Sequence, residues 1–442
     1  MRITILALLI LPIAMFGQTP VPLSLSEGIQ IALEKNPSLQ ISAMRVEDAV
    51  LSYREARSSL MPQVGGQTST ILDEKIRIIE MPNFMDPTQT MELELDFTYD
   101  YQADFSVTQP LFTGGKIRRG IQLAKTNLEV TEIDEFLARN DIALQVTQAY
   151  MGALVAQEFL DVAGEAYLIA KGFHEMTQDL FEEGMVSKLE YLQSEVQMSN
   201  LEPRVTQAEN AVKLAHAGLK MLLGGDEIGE YQLTDELRYE PVQYSLDELH
   251  SEALANRHEL QQLALRGQMG KYALSMARGD YLPMVALTGS YSTFGNDLAN
   301  VDVWDNSYTV AVGLSFNLFN GLKRQAGVQK ARVAIRQSEV GSRALEEGIK
   351  LEVERAYHTL MESEKSFISS NKTVSQAEEA ARLARLQYRE GTITSLQTNQ
   401  IQANLANARA NRAQALFNYT LAGVSIKKAV GRNLIEELGA IQ

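Results

Sequence analysis

Residues 24–40 read SLSEGIQIALEKNPSLQ and residues 245–261 read SLDELHSEALANRHELQ, so one unit is written twice. The offset of 221 continues through Ala56/Ala277, Arg57/Arg278, Pro62/Pro283 and Val64/Val285. It falls to 207 at Tyr101/Tyr308 and then runs ungapped through Leu111/Leu318, Gly114/Gly321, Tyr150/Tyr357, Gly184/Gly391, Leu189/Leu396 and Gly224/Gly431. The drop from 221 to 207 is a 14-residue excess in copy one, between Val64 and Tyr101. An interleaved repeat of this kind makes the 442 residues two halves of one body rather than unrelated domains.

Residues 24–60 show helical spacing behind Ser24 or Ser26, either of which can act as an N-cap, and stop before Pro62. The repeat extends that expectation to a helix over 245–281. Beyond Pro62 and Pro283 the period becomes two, predicting strands over 62–75, 91–109, 283–295 and 306–319. Leu93, Leu95, Phe97, Tyr99, Tyr101, Ala103, Phe105 and Val107 form one face of the second strand. Glu92, Glu94, Asp96, Asp100 and Asp104 stand on the other. In copy two, Tyr308, Val310, Val312, Leu314, Phe316 and Leu318 alternate with Thr309, Ala311, Gly313, Ser315 and Asn317. Both strands exceed the roughly 9 to 11 residues that a tilted membrane strand needs.

After the glycines at 114–115 and 321 the chain is proline-free to about 181 and 388, long enough for helices on the order of 90 Å. A break at Gly184 or Gly391 precedes a returning helix with an Ala-rich seam of three and four, the spacing of antiparallel coiled coils. Helical hairpins are therefore expected over 115–223 and 322–431. Pro203 should kink the first returning helix, and Arg412 interrupts the second seam. Repeat one spans 18–225 and repeat two 245–432, with a linker at 226–244 and a tail at 433–442.

The fold class expected is mainly α with a membrane β-barrel part. Each chain supplies four strands, which cannot close a barrel, and an open sheet edge in lipid is prohibitively costly. Two chains would give eight strands and a barrel filled by side chains. Three would give twelve, wide enough for a conduit.

Composition narrows the function. Residues 1–17, with Arg2 and an apolar run over 3–16, read as a secretory signal peptide. No later segment approaches the roughly 18 apolar residues of a spanning helix. The chain has no Cys, which excludes disulfides and thiolate metal sites, and its net charge of −16 argues against a nucleic-acid partner. The run GGDE at 224–227 lies at a helix end and lacks a following Phe, so a turn is the better reading. His174-Glu175 lacks the second His of a zinc-protease helix, and His250 and His258 are too far apart for one turn. No catalytic set converges and no cofactor is expected. Trp304 and the tyrosines Tyr99, Tyr101, Tyr291 and Tyr308 read as an interfacial girdle, with a sugar platform as the alternative.

The runs SLMPQV (59–64), YLPMVA (281–286), QPLFTGGK (109–116), FNLFNGLK (316–323), FEEGMVSKLEYLQ (181–193) and YREGTITSLQTNQ (388–400) occur doubled and in order. With them the chain resembles the TolC-like outer-membrane efflux proteins over essentially its whole mature length. The resemblance implies a homotrimer in the outer membrane of a Gram-negative bacterium, with a twelve-stranded barrel and a helical periplasmic tunnel. It also implies partners: a periplasmic adaptor and an inner-membrane transporter or secretion ATPase, in efflux or type I secretion. A periplasmic coiled-coil scaffold without a membrane span is the rival reading.

By the same resemblance Gly184 and Gly391 are the tip glycines, and helix C-caps as well. Met185, Val186, Thr392 and Ile393 are expected to contact the adaptor. The family's entrance is held by a Tyr, an acid and an Arg; Tyr388 and Glu190 match, but Ile393 replaces the Arg. Gln397 and Gln400 stand where relatives carry paired carboxylates, and form either an amide constriction or a solvated helix face. The acidic row Glu92, Glu94, Asp96, Asp100 and Asp104 is expected to face the lumen or outer mouth. Residues 81–90, within the excess, read as an extracellular loop.

Overall fold

A computed structural model describes residues 21–72, 77–82, 90–95, 100–225 and 229–439. The expected signal over 1–17 lies outside the described residues. In chain order the elements are β1 (Val21–Leu23), α1 (Leu25–Lys35), α2 (Pro37–Ser58), β2 (Gln63–Thr70), β3 (Arg77–Pro82), β4 (Thr90–Leu95) and β5 (Tyr101–Phe112). There follow α3 (Lys116–Glu182), α4 (Lys188–Leu222), β6 (Tyr231–Leu233), α5 (Leu246–Asn256), α6 (His258–Gly279), β7 (Met284–Gly295) and β8 (Asp305–Ser315). The chain ends with α7 (Lys323–Arg389), α8 (Ser395–Ala429) and α9 (Leu434–Gly439). It divides into two compact units, one of Met1–Met44, Ile133–Gln261 and Arg343–Gln442, the other of Arg45–Glu132 and Gln262–Ser342.

The second unit holds an antiparallel four-stranded sheet in the order β2-β5-β7-β8. Cross-strand partners share a face, and the register sorts the residues cleanly. Gln67, Asp104, Ser292 and Ser307 lie in one row, while Gly66, Phe105, Tyr291 and Tyr308 lie in the next, on the opposite face. The apolar face is open: Tyr308 is 81% exposed, Val310 72% and Leu314 70%. Among the described residues, the strands β2 and β8 each have a neighbour on one side alone.

Three strand expectations are corrected. The strand expected over 62–75 ends at Thr70, and the one expected over 91–109 is two strands with different partners. β4 pairs with β3 in a separate hairpin, while β5 pairs with β2 and β7. The Ile71 N–H donates to the Asp100 carbonyl at 2.9 Å and closes the β2–β5 ladder there. The 14-residue excess therefore falls in the region of the β3–β4 hairpin, and residues 83–89 between those strands lie outside the described residues. β8 stops at Ser315, short of 319, because Arg324 donates to the Asn317 and Leu318 carbonyls at 2.7 and 2.9 Å and takes them out of the ladder.

The first unit holds two repeat-related cores. Ala32, Ile142, Val146, Leu219 and Leu223 are buried in one; their repeat partners Ala253, Ile349, Val353, Ile426 and Val430 are buried in the other. The helices expected as unbroken over 24–60 and 245–281 are each two helices, interrupted at Asn36 and Arg257. Both residues adopt extended backbone, with ψ of 123° and 112°. Pro37 opens α2, the position where its missing N–H costs nothing. His258 opens α6 without that aid, so the break in copy two has a tertiary cause. A Cβ on Gly431 would come within 2.9 Å of the Asn256 backbone carbon, and one on Gly224 within 2.8 Å of the Lys35 Cβ. The chain turns where the end of a returning helix presses on it.

The segment expected as a linker over 226–244 contributes β6, which pairs in parallel with β1. The segment expected as a tail over 433–442 contains α9, whose Leu434 and Leu438 are buried in the first core. α3 and α7 have 67 residues each, and α4 and α8 have 35 each. α4 continues through Pro203, which removes one ladder bond without ending the helix. Among the described residues no helix is long and apolar enough to cross a membrane.

Candidate docking tips and the polar sheet face

Each long helix ends in the same glycine-centred cap. Gly184 has φ of +73° and Gly391 of +71°. The N–H of Met185 donates to the Leu180 carbonyl at 2.8 Å and that of Gly184 to Phe181 at 3.0 Å; Thr392 to Gln387 and Gly391 to Tyr388 repeat the pattern at 2.9 Å. This is the Schellman arrangement, which satisfies carbonyls the helix end leaves over and needs a residue at positive φ. Ser187 and Thr394 then N-cap the returning helices, accepting from the Glu190 and Gln397 N–H groups at 3.2 and 3.3 Å.

The two N-caps differ in one bond. Gln397 Oε1 reaches back to the Thr394 N–H at 3.0 Å and completes a capping box. Ser187 and Glu190 form the forward bond alone. The Glu190 carboxylate instead lies near Tyr388: burial first, then that negative charge, raises the phenol above its ordinary range. Phe173 packs on Tyr388 with ring centroids 4.8 Å apart. Tyr388 and Glu190 are thus brought together, while Ile393 is half-buried and supplies no cation.

The Gln397 carbonyl oxygen is engaged in the cap, and its amide nitrogen is left for other contacts. Gln400 is exposed and donates to Asn404 Oδ1 at 3.1 Å. It also lines a cavity of about 420 Å³ with Leu201, Leu396 and Arg409. Arg409 reaches Glu165 on α3 and, at 3.1 Å, Glu378 on α7, joining three helices. Arg412, which interrupts the apolar seam, approaches Glu158 at 3.8 Å.

Of the residues expected to meet an adaptor, Met185 is 63% exposed, Thr392 is exposed, and Val186 is half-buried like Ile393. Leu189 and Leu396, exposed by 66% and 65%, were not among those expectations. Their signal lay in the repeat, which sets a Leu two places after each capping residue, where a helix's first turn faces outward.

The expected acidic row does not survive as one row. Glu92 and Glu94 stand on β4, outside the four-stranded sheet, and Asp96 lies outside the described residues. Asp100 sits in a bend, where its N–H donates to Asn296 Oδ1 at 3.2 Å. Asp104 stands on the polar face, accepting from Ser292 Oγ at 2.6 Å and from Gln102 Nε2 at 2.9 and 3.0 Å. Trp304 stacks on Tyr101 at 6.3 Å and donates to the Asp297 carbonyl at 2.7 Å.

Helical hairpins capped this way and a four-stranded antiparallel sheet define the fold. The crystal structure of the Campylobacter jejuni CmeC outer membrane channel shares this fold, with a TM-score of 0.76 and 19% identity, over 92% of this chain and 85% of that one. Residues 28–225 and 249–432 match the sequence profile of the outer membrane efflux protein family, and the chain belongs to it. As a member it is an outer-membrane protein. Among its relatives, the alkaline protease secretion protein AprF of Pseudomonas aeruginosa is 25% identical over 70% of this chain and 64% of AprF. The fusaric acid resistance protein FusA of Burkholderia cepacia is 22% identical over 68% of this chain and 56% of FusA. The matches span less than two thirds of either relative.

Proposed function

We propose that three copies of this chain form the outer-membrane channel of a tripartite efflux pump or type I secretion system. The observation that carries the reading is the four-stranded sheet: its apolar face is exposed and, among the described residues, its edge strands β2 and β8 each lack a second neighbour. Lipid offers no hydrogen bonds to such edges, so the strands close only by pairing β8 of one copy with β2 of the next. Three copies give twelve strands and a lumen lined by the polar face. The capped tips then present Met185, Leu189 and Leu396, with Val186, Thr392 and Ile393 beside them, to a periplasmic adaptor that delivers substrate from an inner-membrane transporter or secretion ATPase. The pairing of Tyr388 with Glu190 serves as an entrance contact.

The chain does no chemistry in this reading and takes no cofactor. Relatives named for protease secretion and for fusaric acid resistance support both transport modes. Purified membranes test the proposal. A detergent-dependent, heat-modifiable trimer that forms conducting pores in planar bilayers is the expected result. Extraction by high salt without detergent, and no conductance, would instead establish the periplasmic scaffold.

A further inference from the structure

We propose that Asp104 sets a cation preference in the outer, barrel part of the channel; the inference rests on the trimeric channel reading above. On the four-stranded sheet the row through Asp104 contains Gln67, Ser292 and Ser307, and the rows flanking it on the same face contain Gly65, Ser69, Gln102, Ser106, Ser290, Phe294, Asp305 and Thr309. The four strands carry no Lys or Arg at any described position, and their carboxylates are Asp104 and Asp305. Asp305 pairs with Phe294 at the strand end, two residues from the row of Asp104. The fixed charge of the polar face is therefore of one sign.

Geometry holds that charge in place. Ser292 Oγ from the neighbouring strand donates to Asp104 Oδ1 at 2.6 Å, and Gln102 Nε2 from the same face donates to both carboxylate oxygens. The donors restrict the rotamer, so the carboxylate stays at one height in the sheet. Asp104 is half-buried, whereas Phe105 on the opposite face is 55% exposed. Three copies would place three such carboxylates at one level of the lumen. A ring of like charge raises the local concentration of cations and excludes anions. Its reach is a Debye length, about 10 Å at 0.1 M salt and about 3 Å at 1 M. At the tips Gln397 and Gln400 are neutral, so fixed charge there comes from Glu190 and its neighbours.

The test is the reversal potential of reconstituted channels in a KCl gradient. Wild type should favour K⁺ over Cl⁻ several-fold near 0.1 M salt, and the preference should shrink toward unity near 1 M. Asp104→Asn should lower the ratio at least two-fold, Asp104→Lys should invert it, and Asp305→Asn should change it less. An unselective wild type, or full selectivity retained in Asp104→Asn, would overturn the inference while leaving the channel reading intact. Absence of any conductance would overturn the channel reading and the inference with it.

Discussion

Asn36 and Arg257 occupy equivalent positions in the two repeats and perform one task with different chemistry. The Asn36 amide donates to the Leu222 carbonyl at 2.9 Å, and the Arg257 guanidinium donates to the Ala429 carbonyl at 3.1 Å. Leu222 and Ala429 are the last residues of α4 and α8 and are themselves repeat partners. Each side chain thus satisfies a carbonyl that the helix end leaves over.

Replacing either donor by alanine orphans that carbonyl. Asn36→Ala should lower stability by about 1–3 kcal/mol, the cost of an unsatisfied buried polar group. Arg257→Ala should cost more, because Arg257 also binds Glu259 and Glu352 at 3.1 and 2.9 Å. Glu352 is half exposed, which keeps the ion-pair share small. Thermal melts followed by circular dichroism give the order; Asn36→Ala melting below Arg257→Ala would refute it.

Glu437 makes the docking of α9 acid-sensitive. Burial works to raise its carboxyl, but the bond to Lys427 at 2.8 Å and the nearby Arg432 outweigh it, so the folded value lies below the ordinary 4.5. A depressed carboxyl contributes stability that is complete above its unfolded value and is lost as pH falls through the folded one. Wild type and Glu437→Gln should therefore differ in melting temperature at pH 7, and the gap should close as pH falls through the depressed folded value. A gap that widened toward acid would contradict the assignment.

Leu189 and Leu396 are equivalent, exposed and placed just inside their N-caps. Changing either to Asp leaves the capping bonds of Ser187 and Thr394 in place, and an acid in a helix's first turn is favourable. Trimer yield and conductance should therefore match wild type, while export in cells should fall at least ten-fold. Undiminished export in the double variant would remove these leucines from the docking surface.

Arg409 ties α8 to α3 and α7 through Glu165 and Glu378. Arg409→Ala frees three helices from one guanidinium at a modest cost, since the carboxylates are about half exposed. Single-channel records should show higher or more frequent conductance than wild type, with Glu165→Gln and Glu378→Gln each giving part of the effect. Unchanged records across the three variants would assign Arg409 a packing role alone.

The repeat and its two periods made the architecture legible: two long helical hairpins and four sheet strands stand where polarity and glycines put them. The partner exchange at Asp100 was not legible, because period two reports which face a residue occupies and is silent on which strand it pairs with. The helix break at Arg257 left no local mark either, since its cause is Gly431, distant in sequence. At the tips one signal was readable and unread: TSLQ at 394–397 is a capping-box pattern, and the structure forms that box. The helix α9 escaped notice because six residues are too few to show a period.

The equal lengths of α3 and α7, and of α4 and α8, constrain how this protein can change. Deleting one residue from a single long helix would shift its tip by about 1.5 Å and rotate it by about 100°. Its counterpart would keep the old register, so the two tips of one chain would fall out of step with each other. Length variation is tolerable only where no twin has to follow, and the β3–β4 hairpin is such a place. Insertions in related chains should therefore accumulate in the outer hairpins, and the helical staves should keep their count.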